Sequence, residues 1–121
     1  MKISSNIQKF RKGDMDMFML KVLSEGDCYG YEIISLFRSI SNDIMNFTIG
    51  SIYPALYKLE KEGYIQSYTK DEHTKMERVY YHITEKGEDA LEEMVQDYRA
   101  VTKAADALLN YSKKDYQSNV S

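Results

Sequence analysis

The stretch TIGSIYPALYKLEKEGYI, from Thr48 to Ile65, decides the fold because it has the pattern of one amphipathic helix that ends near Gly63 and leads into a strand. The apolar side chains of this helix form one stripe: Ile52, Ala55, Leu56 and Leu59. The only proline of the chain, Pro54, lies inside the same pattern but on the opposite side. A proline in a helix interior removes a backbone hydrogen bond and costs about 3 kcal/mol. Its presence here requires a reason.

The sequence offers two starting points for this helix. If Ser51 is the N-cap, Pro54 lies in the first turn, whose N–H groups have no partner within the helix. If Thr48 is the N-cap, Pro54 lies one turn further in and kinks the helix. In both cases the side opposite the stripe has a small, polar start followed by cations: Gly50, Ser51, Pro54, Tyr57, Lys58 and Lys61, with Tyr53 on the flank. Free N–H groups suit phosphate and lysines flank the DNA backbone, so this side is predicted to face DNA as a recognition helix. The alternative is an ordinary solvated helix face with a proline that makes it rigid.

The rest of the chain supplies the elements around this helix. Two amphipathic helices precede it, from Asp14 or Asp16 to about residue 24 and over about residues 29–40. Residues 64–70 and 77–83 alternate and are rich in β-formers, and residues 71–76 form a polar loop between them. Val79, Tyr81 and Ile83 are expected on the core face of the second strand. The fold class is therefore mainly α with a two-stranded wing, a winged helix-turn-helix over residues 1–83.

A long last helix follows at residues 84–110, capped by Thr84, and residues 111–121 form a polar tail. Its apolar residues are spaced alternately three and four positions apart, as in the seam of a coiled coil. They are Leu91, Met94, Tyr98, Val101, Ala105 and Leu108. The winged domain is too small to cover this helix, so a homodimer is predicted. The alternative is that the helix folds back on the first helix of its own chain.

Composition bounds the function. The net charge is −3, but residues 1–13 carry four bases and no acid, whereas residues 85–106 carry seven acids against three bases. This asymmetry is compatible with a protein that meets an anion on one side. With no run of 18 apolar residues, no membrane-spanning segment is expected, and a lone Cys28 suits the cytoplasm. No catalytic or metal-ligand pattern appears, so we expect neither an enzyme nor a metal or cofactor.

Three blocks resemble the signature blocks of the PadR family of bacterial transcriptional regulators. They are GDCYGYEII (residues 26–34), GSIYPALYKLEKEGYI (residues 50–65) and RVYYHITEKGEDAL (residues 78–91), and their order and spacing match over roughly residues 9–109. The resemblance implies a winged helix-turn-helix, a C-terminal helix that dimerises and, usually, repression of a nearby operon. The short C-terminal part is similar to that of the small subfamily that includes multidrug-sensing repressors.

Carried over by position, the resemblance puts Ser51, Tyr53, Pro54 and Lys58 on the DNA-facing helix. In the wing Arg78 is retained, Val79 replaces a second base, and Glu77 is an added acid, which together weaken phosphate contacts by the wing. Combined with the reasoning from the residues, the predicted DNA-binding set is Thr48, Gly50, Ser51, Tyr53, Pro54, Tyr57, Lys58, Lys75 and Arg78. The partner is duplex DNA. The rival hypothesis is a helical dimeric interaction module that does not bind specific DNA.

A ligand site is the last expectation. Tyr98 is the bulkiest residue of the seam, and the multidrug-sensing relatives carry an aromatic residue, typically Trp, at the matching place, where it stacks on planar drugs. By this resemblance Met17 approaches Tyr98 across the interface, with Val95 beside it. A small planar apolar or cationic ligand is therefore predicted at the dimer centre. The alternative is that these side chains only fill the core.

Overall fold

The computed structural model describes residues 12–71 and 77–115, without the side chains of residues 12 and 71. Its elements are α1 (Lys12–Glu25), β1 (Cys28–Tyr29), α2 (Gly30–Ile40), α3 (Ile49–Lys61), β2 (Ile65–Asp71), β3 (Glu77–Ile83) and α4 (Glu85–Leu109). The three helices, hairpin and last helix come in the predicted order, so the fold class is confirmed. Over the two described ranges, none of the helices combines the length and apolar character needed to cross a bilayer.

The chain divides into two compact units, residues 1–91 and 92–121. This division falls within α4 and separates its first two turns, which belong to the winged domain, from the rest of the helix. The sequence instead separated a DNA-binding domain, residues 1–83, from a dimerisation helix that begins at residue 84. That separation by function stays a prediction.

The sheet has a third strand that the sequence did not reveal. Its order is β1-β3-β2 with both pairs antiparallel. Strand β1 contributes only two pairs, Cys28 with Tyr81 and Tyr29 with Tyr80. Two residues are too few to show the alternating pattern of a strand, so β1 can be recognised only from its pairing with β3 in the folded chain. The pairing joins the turn between α1 and α2 to the hairpin.

Strand β3 departs from its predicted faces. Tyr81 and Ile83 are buried as expected, but Val79 is 43% exposed, and Tyr80, on the opposite face of the strand, is only 9% exposed. Val79 pairs with Thr69 of β2 at a position that lies beyond the end of β1. The other face of the sheet is covered instead, because the ring of Tyr80 meets Tyr29 edge-on at 5.5 Å and stacks on Tyr68 at 5.8 Å. The prediction that Val79 is buried on the core face was therefore wrong.

The core lies between the three short helices and the inner face of the sheet. The largest fully buried side chains come from α1, α2, α3 and β2: Met19, Leu20, Leu23, Ile33, Ile52, Leu56, Leu59 and Ile65. All four residues of the predicted α3 stripe are buried, which confirms the face that α3 turns inward. Each such aliphatic side chain contributes about 1.5–3 kcal/mol on leaving water. The opposite face of α3 is consequently the one that meets solvent.

The start of α4 confirms the predicted cap and explains an unfavourable residue. The Gly87 N–H donates to Thr84 Oγ1 at 3.1 Å, and the Thr84 hydroxyl donates to the Gly63 carbonyl at 2.7 Å. A Cβ atom on Gly87 would lie 2.1 Å from the Tyr64 carbonyl oxygen. Glycine is needed here because the helix approaches the backbone of the α3–β2 connection too closely for any side chain.

Candidate nucleic-acid interface

The start of α3 is decided in favour of Thr48. Thr48 has an extended backbone, its N–H donates to Ser51 Oγ at 3.2 Å, and its carbonyl accepts the N–H of Ile52 at 3.0 Å. Pro54 is thus inside the helix, and because proline has no backbone N–H, the Gly50 carbonyl does not receive the helical hydrogen bond it would otherwise accept. Both Gly50 and Pro54 are exposed, so water can hydrate that carbonyl and reduce the cost of the proline.

The exposed face of α3 matches the face predicted to meet DNA. Tyr57 is 70% exposed, and Lys61 is exposed in the last turn. Thr48 and Gly50 are exposed at the start of the helix, while Ser51 is half-buried through its bonds to the cap. The structure therefore brings these polar groups to one surface. Contact of this surface with DNA remains a prediction.

Tyr53 has a second role within the fold. It is 41% exposed, and its hydroxyl lies where a Cβ atom on Gly30 would come within 2.8 Å. Gly30 is the first residue of α2, so the ring of Tyr53 joins α3 to the start of α2. The absence of a side chain at Gly30 therefore leaves room for the ring of Tyr53, a predicted DNA-binding residue, to pack against α2.

Lys58 forms an ion pair that the sequence did not suggest. Its Nζ donates to Asp16 Oδ2 at 3.1 Å, and this bond raises the pKa of Lys58. The sequence pattern begins the first helix at Asp14 or Asp16, but α1 begins at Lys12, so neither residue caps it. The signal was available, because Asp16 stands three, four and seven positions before Met19, Leu20 and Leu23 and thus on the core face of α1.

Two cations of the described part of the wing lie on one face of the hairpin. Lys70 and Arg78 are cross-strand neighbours; the Arg78 guanidinium lies 4.5 Å from the ring centre of Tyr29, and the Lys70 ammonium lies 5.4 Å from that of Tyr80. Stacking of this kind orients the cations while leaving their charge in place. Lys75, the other predicted contact in the wing, lies outside the described residues.

A carboxylate clamps the hairpin to the turn before β1. Asp27 accepts a hydrogen bond from the Tyr68 hydroxyl at 2.6 Å and lies 2.7 Å from Nδ1 of His82. The bond from Tyr68, helped by His82, lowers the pKa of Asp27. Because Tyr68 is on β2 and His82 on β3, one side chain ties both strands of the wing to the body of the domain. Nothing in the sequence links these three residues.

The predicted seam and ligand residues have mixed exposure. Leu91 is buried in the first unit, and Met17 is also buried there. In the second unit Val101 is 53% and Leu108 75% exposed, and Ala105 is exposed as well. Met94, Val95 and Tyr98 are half-buried. Roles in dimerisation and ligand binding stay predictions for all of them.

Other kinds of site find no support in residues 12–71 and 77–115. These ranges contain no group of three or more His, Cys, Asp or Glu side chains that could hold a metal ion. Cys28 is buried, and burial, followed by the charge of Glu32, raises the pKa of its thiol to about 11. A thiol with such a pKa is a poor nucleophile at neutral pH.

Several known proteins with similar sequences and structures are described as transcriptional regulators. A curated relative, the negative transcriptional regulator PadR of Bacillus subtilis strain 168, is 34% identical over 73 residues, 60% of this chain and 40% of the relative. A PadR-like transcriptional regulator from Bacillus cereus strain ATCC 14579 superposes with a TM-score of 0.73 at 33% identity, over 84% of this chain and 96% of that structure.

A third comparison concerns a DNA complex. Bacillus subtilis PadR bound to operator DNA superposes with a TM-score of 0.63 at 30% identity, over 68% of this chain and 46% of that one. This chain thus spans less than half the length of that regulator. The model of the transcriptional regulator PadR-like family matches residues 19–93, from the core of α1 through the wing into α4. The chain therefore belongs to the PadR-like family of transcriptional regulators and is not an enzyme.

Proposed function

We propose that the protein is a sequence-specific repressor that binds an inverted-repeat operator as a homodimer. One observation carries the proposal: α3 turns four apolar residues fully inward and exposes a polar face with tyrosines and lysines. The operator complex of Bacillus subtilis PadR supports DNA as the partner. A regulator of this kind works in the cytoplasm, where bacterial DNA is.

The contacts divide by chemistry. The small start of α3, at Thr48, Gly50 and Ser51, allows close approach to the backbone or to base edges. Tyr53, Pro54 and Tyr57 offer flat apolar or hydrogen-bonding surface to the major groove. Lys58 on α3 and Lys75 and Arg78 in the wing serve phosphates, whose contribution carries no sequence information.

The second unit supplies the dimer contact in this proposal. It exposes two large apolar side chains of the predicted seam that a monomer would leave in water, Val101 and Leu108. Their spacing continues the seam that begins at Leu91 and Met94 and passes through Tyr98 and Ala105. A two-fold axis would place two copies of α3 about 34 Å apart, one turn of B-DNA.

A small planar apolar or cationic molecule at the dimer centre would release the DNA. Tyr98 offers a stacking surface, Val95 an apolar wall, and Met17 an adaptable thioether. Planar dyes titrated into the protein should gain fluorescence, and Tyr98→Ala should abolish the gain. If a broad panel of dyes shows no binding to the wild type, or equal binding to Tyr98→Ala, the ligand proposal is wrong.

The decisive experiment is selection of bound duplexes from a random library, followed by fluorescence anisotropy. We expect an inverted repeat and an affinity that falls steeply with salt, with Lys58→Ala weaker and less salt-dependent. Tyr57→Ala should weaken operator binding, whereas Tyr111→Ala, a similarly exposed tyrosine of the second unit, serves as the matched control. Unselective duplexes, or an affinity unchanged from about 50 to 300 mM salt, would favour the interaction module instead.

A further inference from the structure

Asp16 occupies an unusual position for an acid. It is 7% exposed and is the sole buried charged side chain in the part of the chain that the structure describes. It lies on the core face of α1, between the side chains that hold α1 against the domain. A carboxylate in such a place needs a partner, because burying an unpaired charge is costly.

The partner belongs to the recognition surface. Lys58 Nζ, on the exposed side of α3, reaches Asp16 Oδ2 at 3.1 Å while 56% of its own side chain stays exposed. A cavity of about 240 Å³ adjoins the pair between α1 and α3, lined by Met15, Asp16, Ser51, Pro54, Ala55 and Lys58. The ion pair therefore lies next to the small, polar start of α3 as well as to its cationic end.

We propose that Asp16 is a positioning residue that attenuates DNA binding: it holds the ammonium of Lys58 in an ion pair and so withholds one cation from the phosphates. The proposal rests on the proposed function of α3. An approaching phosphate must share Lys58 with a carboxylate already in hydrogen-bond contact. The recognition helix thus meets DNA with less free positive charge than its sequence indicates.

Attenuation has a functional consequence. Phosphate contacts strengthen binding to every duplex, so a fully free Lys58 would raise affinity for unrelated DNA along with affinity for the operator. Holding Lys58 in an ion pair limits this unselective part. Base contacts by other residues of α3 are then a larger fraction of the total.

The test uses the full chain with the neutral, nearly isosteric Asp16→Asn variant. Anisotropy titrations with the selected operator and with a mixed-sequence duplex of equal length would run from about 50 to 200 mM KCl. One cation freed from a shared ion pair should steepen the plot of log affinity against log salt by up to about 0.9. The gain at 50 mM should be up to about fifteenfold on both duplexes and should shrink by up to about 3.5-fold by 200 mM.

Glu25→Gln is the matched control. It makes the same change in net charge and frees Lys21 from a pair at 2.7 Å, but it lies at the far end of α1 from Asp16. We expect its salt slope to equal that of the wild type. Equal steepening by Glu25→Gln and Asp16→Asn would reduce the effect to overall charge and overturn the proposal.

Two further variants keep the test decisive. Asp16→Met removes the charge with an apolar side chain like those of Met15 and Met17, and it replaces Asp16→Asn if the buried amide impairs folding in circular dichroism. In a Lys58→Gln background the gain should vanish. The role of Asp16 would be refuted if a folded Asp16→Asn or Asp16→Met protein bound DNA with an affinity and a salt slope no greater than those of the wild type. It would also be refuted if the gain in affinity persisted in the Lys58→Gln background. If the wild-type protein shows no salt-dependent binding to DNA, the proposed function is refuted, and this inference is refuted with it.

Discussion

Replacement of Gly87 by alanine sets two physical effects against each other. Alanine is the better helix former, and in an exposed helix interior the change stabilises by about 1 kcal/mol. Gly87, however, is buried near the start of α4, and its missing Cβ would lie 2.1 Å from the Tyr64 carbonyl oxygen and 2.8 Å from Cγ1 of Ile83. The first distance is about 1.3 Å short of ordinary contact at 3.4 Å.

The steric effect should win. The clash involves backbone, so α4 or the α3–β2 connection must move, and overpacking of this kind costs about 1–3 kcal/mol or more. The same movement disturbs the bond from the Thr84 N–H to the Tyr64 carbonyl, 3.0 Å long, worth about 1 kcal/mol. After subtraction of the gain in helix propensity, Gly87→Ala should lower the free energy of unfolding by about 1–3 kcal/mol.

Urea unfolding followed by far-UV circular dichroism, at one fixed protein concentration, measures this difference. Gly13→Ala is the control, because an added Cβ there meets nothing within 4 Å. Its effect should be neutral to favourable, up to about 1 kcal/mol. A Gly87→Ala protein as stable as the wild type, or more stable, would show that α4 does not approach the connection as closely as described.

Three other predictions follow from the contacts. Because the pKa of Asp27 is lowered in the folded protein, Asp27 stabilises the fold above its usual pKa of 3.8, and this stabilisation is lost as the pH falls through the lower folded value. Tyr68→Phe should therefore lower the urea midpoint at pH 7, and the difference in midpoint between the variant and the wild type should shrink in acid. Cys28, with a pKa of about 11, should resist a thiol reagent at pH 8 until the protein unfolds, so labelling as fast as free cysteine would contradict its burial. Val101→Asp should convert dimer to monomer in sedimentation, whereas Thr102→Asp, off the seam, should not.

Local patterns in the sequence were enough for the helices and the hairpin. The α3 stripe, the Thr84 cap and the end of α4 near residue 109 all follow from signals within a few residues of each other, namely helical periodicity and capping chemistry. The exposed face of α3 follows too, because a helix with one buried stripe must expose the other side. The same patterns left the choice between Thr48 and Ser51 open, since both residues are good caps.

Tertiary structure decided what joins distant parts of the chain. The pair of Asp16 and Lys58 spans 42 residues and that of Asp27 and His82 spans 55. Strand β1 and the burial of Tyr80 likewise depend on which segments meet across the sheet. By itself the sequence determined which residues α3 turns inward, because periodicity is a local property. Only the folded chain decided which charges and rings the remaining side chains meet, because those contacts depend on the packing of whole elements and leave no local pattern.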